Sequence, residues 1–327
     1  MKTVRIYGTL GPSCKDEATL AQMVREGMDG IRLNLSHTTL EEAAGLIGAY
    51  RNAARSCGVE PGLLIDMQGP ELRIGTMPAP LRLEEGALIR AAALVLPEAV
   101  TSELQDAPRG QELLLDDGKL LLSAEAPDRL RVRRGGVLES RKSVALPGRR
   151  IRTPALTPVD LRNLASASAF GVTAVMQPFV RGREDLIEVR GAMERAGCGN
   201  ARLLAKVENL EGVESLETIL PYCDEIVIAR GDLGNAVPLW ELPAVQKRIS
   251  AVCRREGRAF MVVTQMLDSM MHRQVPTRAE VSDIFNAVLD GASSVMVTGE
   301  TASGDYPVDV MRYLVKTVRC AEAFAAR

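Results

Sequence analysis

The chain has 327 residues, 46% of them apolar, which suffices for a sizeable core in one large or two to three ordinary domains. Forty lysines and arginines against 42 aspartates and glutamates leave no global field for nucleic acid or an anionic membrane, so an anionic ligand needs a local site. Six scattered cysteines without a C-x-x-C pair argue against a disulfide framework and a zinc site.

Short apolar runs recur along the chain, most followed by helix-compatible segments. In order they are VRIYGTL, GIRLNL, GLLIDM, then after a gap TAVMQPF, RLLAKV, EIVIA, AFMVV and SVMVTG. Strand-helix alternation implies right-handed parallel crossovers, and eight such units closing on themselves give an α/β fold, the TIM (β/α)8 barrel, with sites at the C-terminal strand ends. Gly27, Gly171 and Gly291 precede strands and are expected as helix C-caps. The first strand begins near Val4, leaving no room for a signal peptide, and no apolar run reaches about 18 residues. The expectation is a soluble cytoplasmic protein.

Residues 74–147 depart from the pattern. PLRLEEGALIRAAAL, QELLLDDGKLLLSAEA and DRLRVRRGGVLESRK carry alternating apolar residues with turn signals at Glu85-Gly86, Asp117-Gly118 and Gly135-Gly136. We read an inserted β-rich domain after strand three, with the barrel formed by 1–73 and 148–327. Placed at the mouth of strand three, the insert is expected to serve as a lid that closes over substrate. After GETASGDYP only one helix remains, so no further C-terminal domain is expected.

The polar clusters sit at strand ends. In RLLAKVEN, Lys206 and Glu208 are two apart and share a face, while EIVIA runs into Arg230-Gly231-Asp232-Leu233-Gly234, whose glycines let backbone N–H groups approach a ligand. Two carboxylates, Glu208 and Asp232, without His or Cys suit Mg²⁺ or Mn²⁺, and a nearby lysine suits phosphate. Arg32, Asn34 and Ser36 alternate onto one face, the first fit for phosphate, the others for a monovalent cation or nucleotide phosphates; His37 is a weaker signal. Strand three ends in Asp66-Met67-Gln68-Gly69-Pro70-Glu71-Leu72-Arg73. Strand seven ends at Thr264, whose hydroxyl could donate to phosphate or relay a proton, followed by Met266, Met270 and Met271, read as core. Thr277 and Glu280 have the spacing of a capping box.

Arg32 to His37, Asp66 to Arg73, Lys206 to Glu208, ARGDLG, TQMLDSM, PTRAEVSD and GETASGDYP together closely resemble the corresponding segments of the pyruvate kinase family, in order and over nearly the whole chain. The resemblance implies phosphoryl transfer from phosphoenolpyruvate to ADP, giving pyruvate and ATP, with Mg²⁺ or Mn²⁺ and K⁺ as cofactors. It implies that Glu208 and Asp232 hold the divalent ion, Lys206 meets the transferring phosphoryl group, Arg32 binds phosphate and Thr264 aids enolate protonation. It further implies that Asn34, Ser36, Asp66 and the Met67 backbone surround K⁺. Gly231 and Asp232 N–H groups, with Thr264, would hold the substrate, and Arg32, Asn34 and His37 would lie on the nucleotide side. Family members that do without K⁺ carry Lys where this chain has Glu71. The chain departs from the family pattern at Met67-Gln68, Gln177-Pro178, Ala236, Glu42 and Arg141 to Ala145, which bears on nucleotide affinity and substrate identity. Two other readings remain: a metal-dependent lyase or aldolase handling pyruvate enolate, and a binding module for phosphoenolpyruvate. No nucleic-acid or membrane partner is expected, and a homo-oligomer through the barrel stays open.

Overall fold

The computed structural model describes residues 4–36, 38–116, 118–149, 151 and 153–326. It divides into two compact units, Met1–Gly69 with Ala155–Arg327, and Pro70–Pro154. The sequence reading drew these junctions at 73/74 and 147/148.

In the first unit eight strands close into a barrel: β1 (Arg5–Thr9), β2 (Gly30–Asn34), β3 (Gly62–Asp66), β4 (Ala174–Gln177), β5 (Arg202–Val207), β6 (Glu225–Ala229), β7 (Ala259–Val263) and β8 (Ser294–Met296). All neighbours run parallel, and β1 closes the ring by pairing with both β2 and β8. These are the eight apolar runs foreseen from the sequence. Residues at every second position turn inward, and Tyr7, Leu64, Met176, Leu204, Val227 and Met261 are among those that fill the barrel as a dry core. The alternate residues, such as Ile31, Ile65, Val175, Leu203 and Ile228, pack outward against the helices.

Helix ends follow local chemistry. The Asp16 side chain accepts from Thr19 N–H at the start of Glu17–Glu26, and Gly27 closes that helix in the left-handed conformation, φ 116°. Gly171 (φ 55°) and Gly291 (φ 94°) are also left-handed, but follow the cap residues Ser168 and Asp290 rather than being the caps themselves. Capping boxes start Pro158–Ala167 (Thr157 with Asp160) and Arg278–Leu289 (Thr277 with Glu280). At the N-terminal end of the barrel, buried Glu225 is held by Arg202 and by the Ser293 and Ser294 hydroxyls, a polar plug on the face opposite the site.

The second unit, taken alone, holds an antiparallel sheet in the order Val144–Ala145, Glu112–Leu115, Leu120–Ala126, Arg129–Arg134, Leu88–Arg90, with Leu81–Leu83 paired to Gly136–Leu138. Within the segment read as alternating, Ala91–Leu94 is instead a 3₁₀ turn, because three alanines have little to pack on a pleated face, and Glu98–Gln105, outside the segments read as strands, is a helix. Turn glycines Gly86, Gly118 and Gly136 have positive φ, while Asp117 lies outside the described residues. All six cysteines are free; burial pushes the Cys14 thiol up to about 11 and Cys223 and Cys253 up to about 12, which leaves them inert. Among the described residues no helix is long and apolar enough to cross a membrane.

Candidate active site

The inward-facing positions at the C-terminal ends of β2, β3 and β5 change from apolar to charged, one step above the dry core: Leu64 gives way to Asp66 and Leu204 to Lys206. Arg32 donates to Asp66 Oδ2 through Nε at 2.9 Å and Nη2 at 2.6 Å. Lys206 Nζ lies 3.2 and 3.1 Å from the two Asp66 oxygens and 3.1 Å from Glu208 Oε1. The shared face expected for Lys206 and Glu208 is therefore realised as an ion pair. Phe179 N–H, on a left-handed residue (φ 51°), donates to Glu208 Oε2 at 2.9 Å.

Asp66 and Glu208 are almost wholly buried, at 1% and 3% exposure. Burial works against the Lys206 charge, but Asp66 and Glu208 outweigh it and hold the ammonium firmly protonated, above its ordinary range. Burial likewise opposes ionisation of Asp66, which Lys206 and Arg32 overcome, keeping it below the usual carboxylate range. Glu208 goes the other way: burial, reinforced by Asp232 and Asp66 and opposed by Lys206, pushes it up to about 7. Three carboxylates thus face two cations, and Glu208 is the one left short of positive charge. Among the described residues no group of three or more His, Cys, Asp or Glu side chains could hold a metal by itself. A hard cation bound by Glu208 and Asp232 would complete its shell with water or substrate oxygens, the usual manner of Mg²⁺. The donor set and its deficit of positive charge fit such an ion.

Beside this cluster β6 ends at Ala229 and the chain turns directly into a short helix, Arg230–Ala236, so Gly231 and Asp232 occupy its first turn, where N–H groups have no intrahelical acceptor. Thr264, immediately after β7, is left-handed at φ 80°, as is Gln265 at 53°. For a β-branched residue that conformation costs about 1–3 kcal/mol. A Cβ built on Gly231 would meet Thr264 Cγ2 at 3.2 Å, so the glycine is what lets the threonine side chain lie over the helix start. Arg230 Nε and Nη2 donate to the Thr264 carbonyl at 3.2 and 2.8 Å, and Nη1 pairs with Asp283 at 2.6 Å.

The residues expected around K⁺ are brought to one edge. Asn34 and Asp66 are register partners between β2 and β3, Asn34 Oδ1 accepts from Ser36 N–H at 3.1 Å, and Leu35 N–H donates to the Asp66 carbonyl at 2.9 Å. Met67 is buried. His37 lies outside the described residues.

Sequence reasoning missed several supporting groups. Asp160 is fully buried and accepts from the N–H groups of Gln68 (2.8 Å), Gly69 (3.0 Å) and Thr157 (2.9 Å), and Gln177 Nε2 donates to the Ala155 carbonyl at 2.7 Å. The unusual Gln68 donates to the Leu35 carbonyl at 3.2 Å, which ties the end of β3 to the end of β2. The capping-box spacing of Thr157 and Asp160 was a readable signal; the second use of that aspartate was not. The Phe179 N–H left no local trace, and Arg230 and Asp283 lie inside the quoted motifs ARGDLG and PTRAEVSD without any local sign that they pair with each other.

Fold and site together define a (β/α)8 barrel whose mouth gathers a largely buried lysine, an arginine, carboxylate oxygens and the start of a short helix. The family model described as "Pyruvate kinase, barrel domain" matches residues 1–311. Pyruvate kinase of Geobacillus stearothermophilus is 36% identical over 325 residues, covering 95% of this chain and 55% of that protein. That of Aeropyrum pernix is 36% identical over 319 residues (96% and 69%), and that of Corynebacterium glutamicum 39% over 333 residues (98% and 70%). The chain belongs to the pyruvate kinase family. It spans little more than half the length of several of the curated relatives it matches.

Proposed function

We propose that this chain transfers the phosphoryl group of phosphoenolpyruvate to ADP, giving ATP and pyruvate. The observation that carries the reading is Lys206, only 13% exposed and held protonated between Asp66 and Glu208 at the barrel mouth, with Arg32 on the same aspartate. In the reaction the bond between phosphorus and the enol oxygen breaks while a β-phosphate oxygen of ADP bonds to phosphorus. Charge spreads over the equatorial oxygens, and positioned cations rather than a covalent nucleophile do the stabilising. Lys206 and Arg32 meet that charge. The first-turn N–H groups of Gly231 and Asp232 hold the substrate carboxylate. The Thr264 hydroxyl, set beside Gly231, relays a proton to C3 of the enolate, giving up its own as it takes one from water, and pyruvate results. Glu208 and Asp232 hold Mg²⁺ or Mn²⁺, and Asn34, Ser36, Asp66 and the Met67 carbonyl hold K⁺, with Arg32, Asn34 and His37 toward the nucleotide. Divalent charge at that position would neutralise phosphoryl and enolate oxygens. The free cysteines support a reducing, cytoplasmic setting.

The test is pyruvate formation from phosphoenolpyruvate with and without ADP, Mg²⁺ and K⁺, beside a screen of aldol substrates. Dependence on ADP and Mg²⁺ with stoichiometric ATP is expected. Pyruvate release that ignores ADP, cleavage of an aldol substrate, or binding without turnover would overturn the reading.

A further inference from the structure

We propose that Arg230, anchored by Asp283, is a positioning residue that holds Thr264 in the strained backbone from which its hydroxyl can act; the inference rests on the enolate-protonation role proposed above. Thr264 and Gln265 are consecutive non-glycine residues in the left-handed region, and a β-branched residue does not stay there unless something external holds it. The holder is visible. Arg230 closes a fork of two hydrogen bonds on the Thr264 carbonyl at 3.2 and 2.8 Å, and its Nη2 reaches the Gln265 carbonyl at 3.5 Å and Met266 Sδ at 3.0 Å. Its third nitrogen is fixed by Asp283, one turn into the helix that follows the β7 loop, at 2.6 Å.

The guanidinium is thus fastened at one end to a helix and at the other to the backbone of the residue it sets. It is only 12% exposed, so little solvent competes for its donors. Relaxation of Thr264 to an extended conformation would turn the carbonyl out of the fork and swing the side chain off Gly231, against which its methyl now packs. A lysine in place of Arg230 keeps the charge but, as a compact point donor, cannot grip one carbonyl twice while bonding Asp283. Arg230 is the first residue of the short helix Arg230–Ala236, so the stretch of chain that would offer N–H groups to the substrate also sets the geometry of the proton donor across from them.

The experiment compares Arg230→Lys, Asp283→Asn, Thr264→Ala and the double variant Arg230→Lys/Thr264→Ala, each verified as folded by thermal melting. Turnover of phosphoenolpyruvate is read as kcat and KM, and protonation at C3 as exchange of pyruvate methyl hydrogens in D₂O by NMR. Arg230→Lys should lower kcat and exchange together by about 10- to 100-fold, the range expected for a misplaced proton-transfer group, with KM within about threefold. The double variant should be no slower than Thr264→Ala alone, because Arg230 has nothing left to position. A crystal structure of Arg230→Lys should show Thr264 outside the left-handed region. Additive losses in the double variant, or Thr264 still at its present φ with unchanged exchange, would overturn the role of Arg230. If Arg230→Lys does not fold, Asp283→Asn carries the same comparison, and additivity with Thr264→Ala is again the refuting result. Absence of both turnover and exchange in the unsubstituted protein would instead refute the phosphoryl-transfer reading, and with it any proton for Thr264 to deliver.

Discussion

Replacing Lys206 with methionine separates chemistry from metal binding at this site. The side chain is 13% exposed and lies 3.1 Å from both Asp66 and Glu208, so removal of its charge is felt without much screening. Stripping one partner from a buried pair typically costs about 3–5 kcal/mol. Here two features reduce that. Asp66 keeps both bonds from Arg32, and Glu208, already pushed up to about 7, can take up a proton once the ammonium that lowers it is gone. We therefore expect a loss of about 1–3 kcal/mol in unfolding free energy, below the usual figure for a broken buried pair, and a chain that still folds. Activity should suffer far more, because in the proposed reaction the ammonium would face charge that develops only in the transition state: a loss of at least about 100-fold in kcat. Divalent binding should persist, since a cation that repels Mn²⁺ has been removed while Glu208 and Asp232 remain. The assays are urea unfolding, steady-state turnover and Mn²⁺ titration by electron paramagnetic resonance. A folded variant turning over within tenfold of the parent would refute the role of Lys206, and loss of Mn²⁺ binding in it would refute a site built from the two carboxylates.

Glu208→Gln or Asp232→Asn should raise the Mg²⁺ concentration needed for half-maximal activity by tenfold or more, on the order of one lost charge in an all-oxygen site; unchanged half-saturation in both would place the ion elsewhere. Activity should rise with K⁺ over Na⁺ at constant ionic strength, and Asn34→Ala should weaken that response, whereas equal rates in K⁺, Na⁺ and a bulky organic cation would remove the K⁺ site. Glu208 also sets a pH dependence. Its folded value lies above the ordinary 4.5, so the native state binds the extra proton, and its contribution to stability falls as pH rises from about 4.5 to about 7. Over the upper part of that window the carboxylate ionises and Mn²⁺ affinity should climb. A flat affinity between pH 6 and 8, or a slope that survives Glu208→Gln, would contradict this. Gly231→Ala should lower kcat, because the new methyl meets Thr264 Cγ2 at 3.2 Å; turnover unchanged in that variant would show that the threonine need not lie where it does.

Much of this site follows from local pattern. Period-two alternation places Lys206 and Glu208 on one face, the eight apolar runs name the strands, and an oxygen-only donor set selects a hard cation, all before any tertiary contact is known. The insert was legible as β-rich through its turn glycines, but the helix Glu98–Gln105 was not, because its three apolar residues, Ala99, Val100 and Leu104, are too few over so short a span to declare a period. What tertiary structure alone decided are the contacts that cross the barrel. Asp66 meets Lys206 over 140 residues of chain, Asp160 captures Gln68 and Gly69 from more than 90 residues away, and Arg230 reaches Thr264 and Asp283 from a neighbouring strand end. These depend on barrel closure and strand register, which are set by the packing of all eight strands at once, and no window of sequence contains that information. The left-handed backbone at Thr264 belongs to the same class: its own residue type opposes it, and its carbonyl is gripped by a guanidinium from the adjacent strand end.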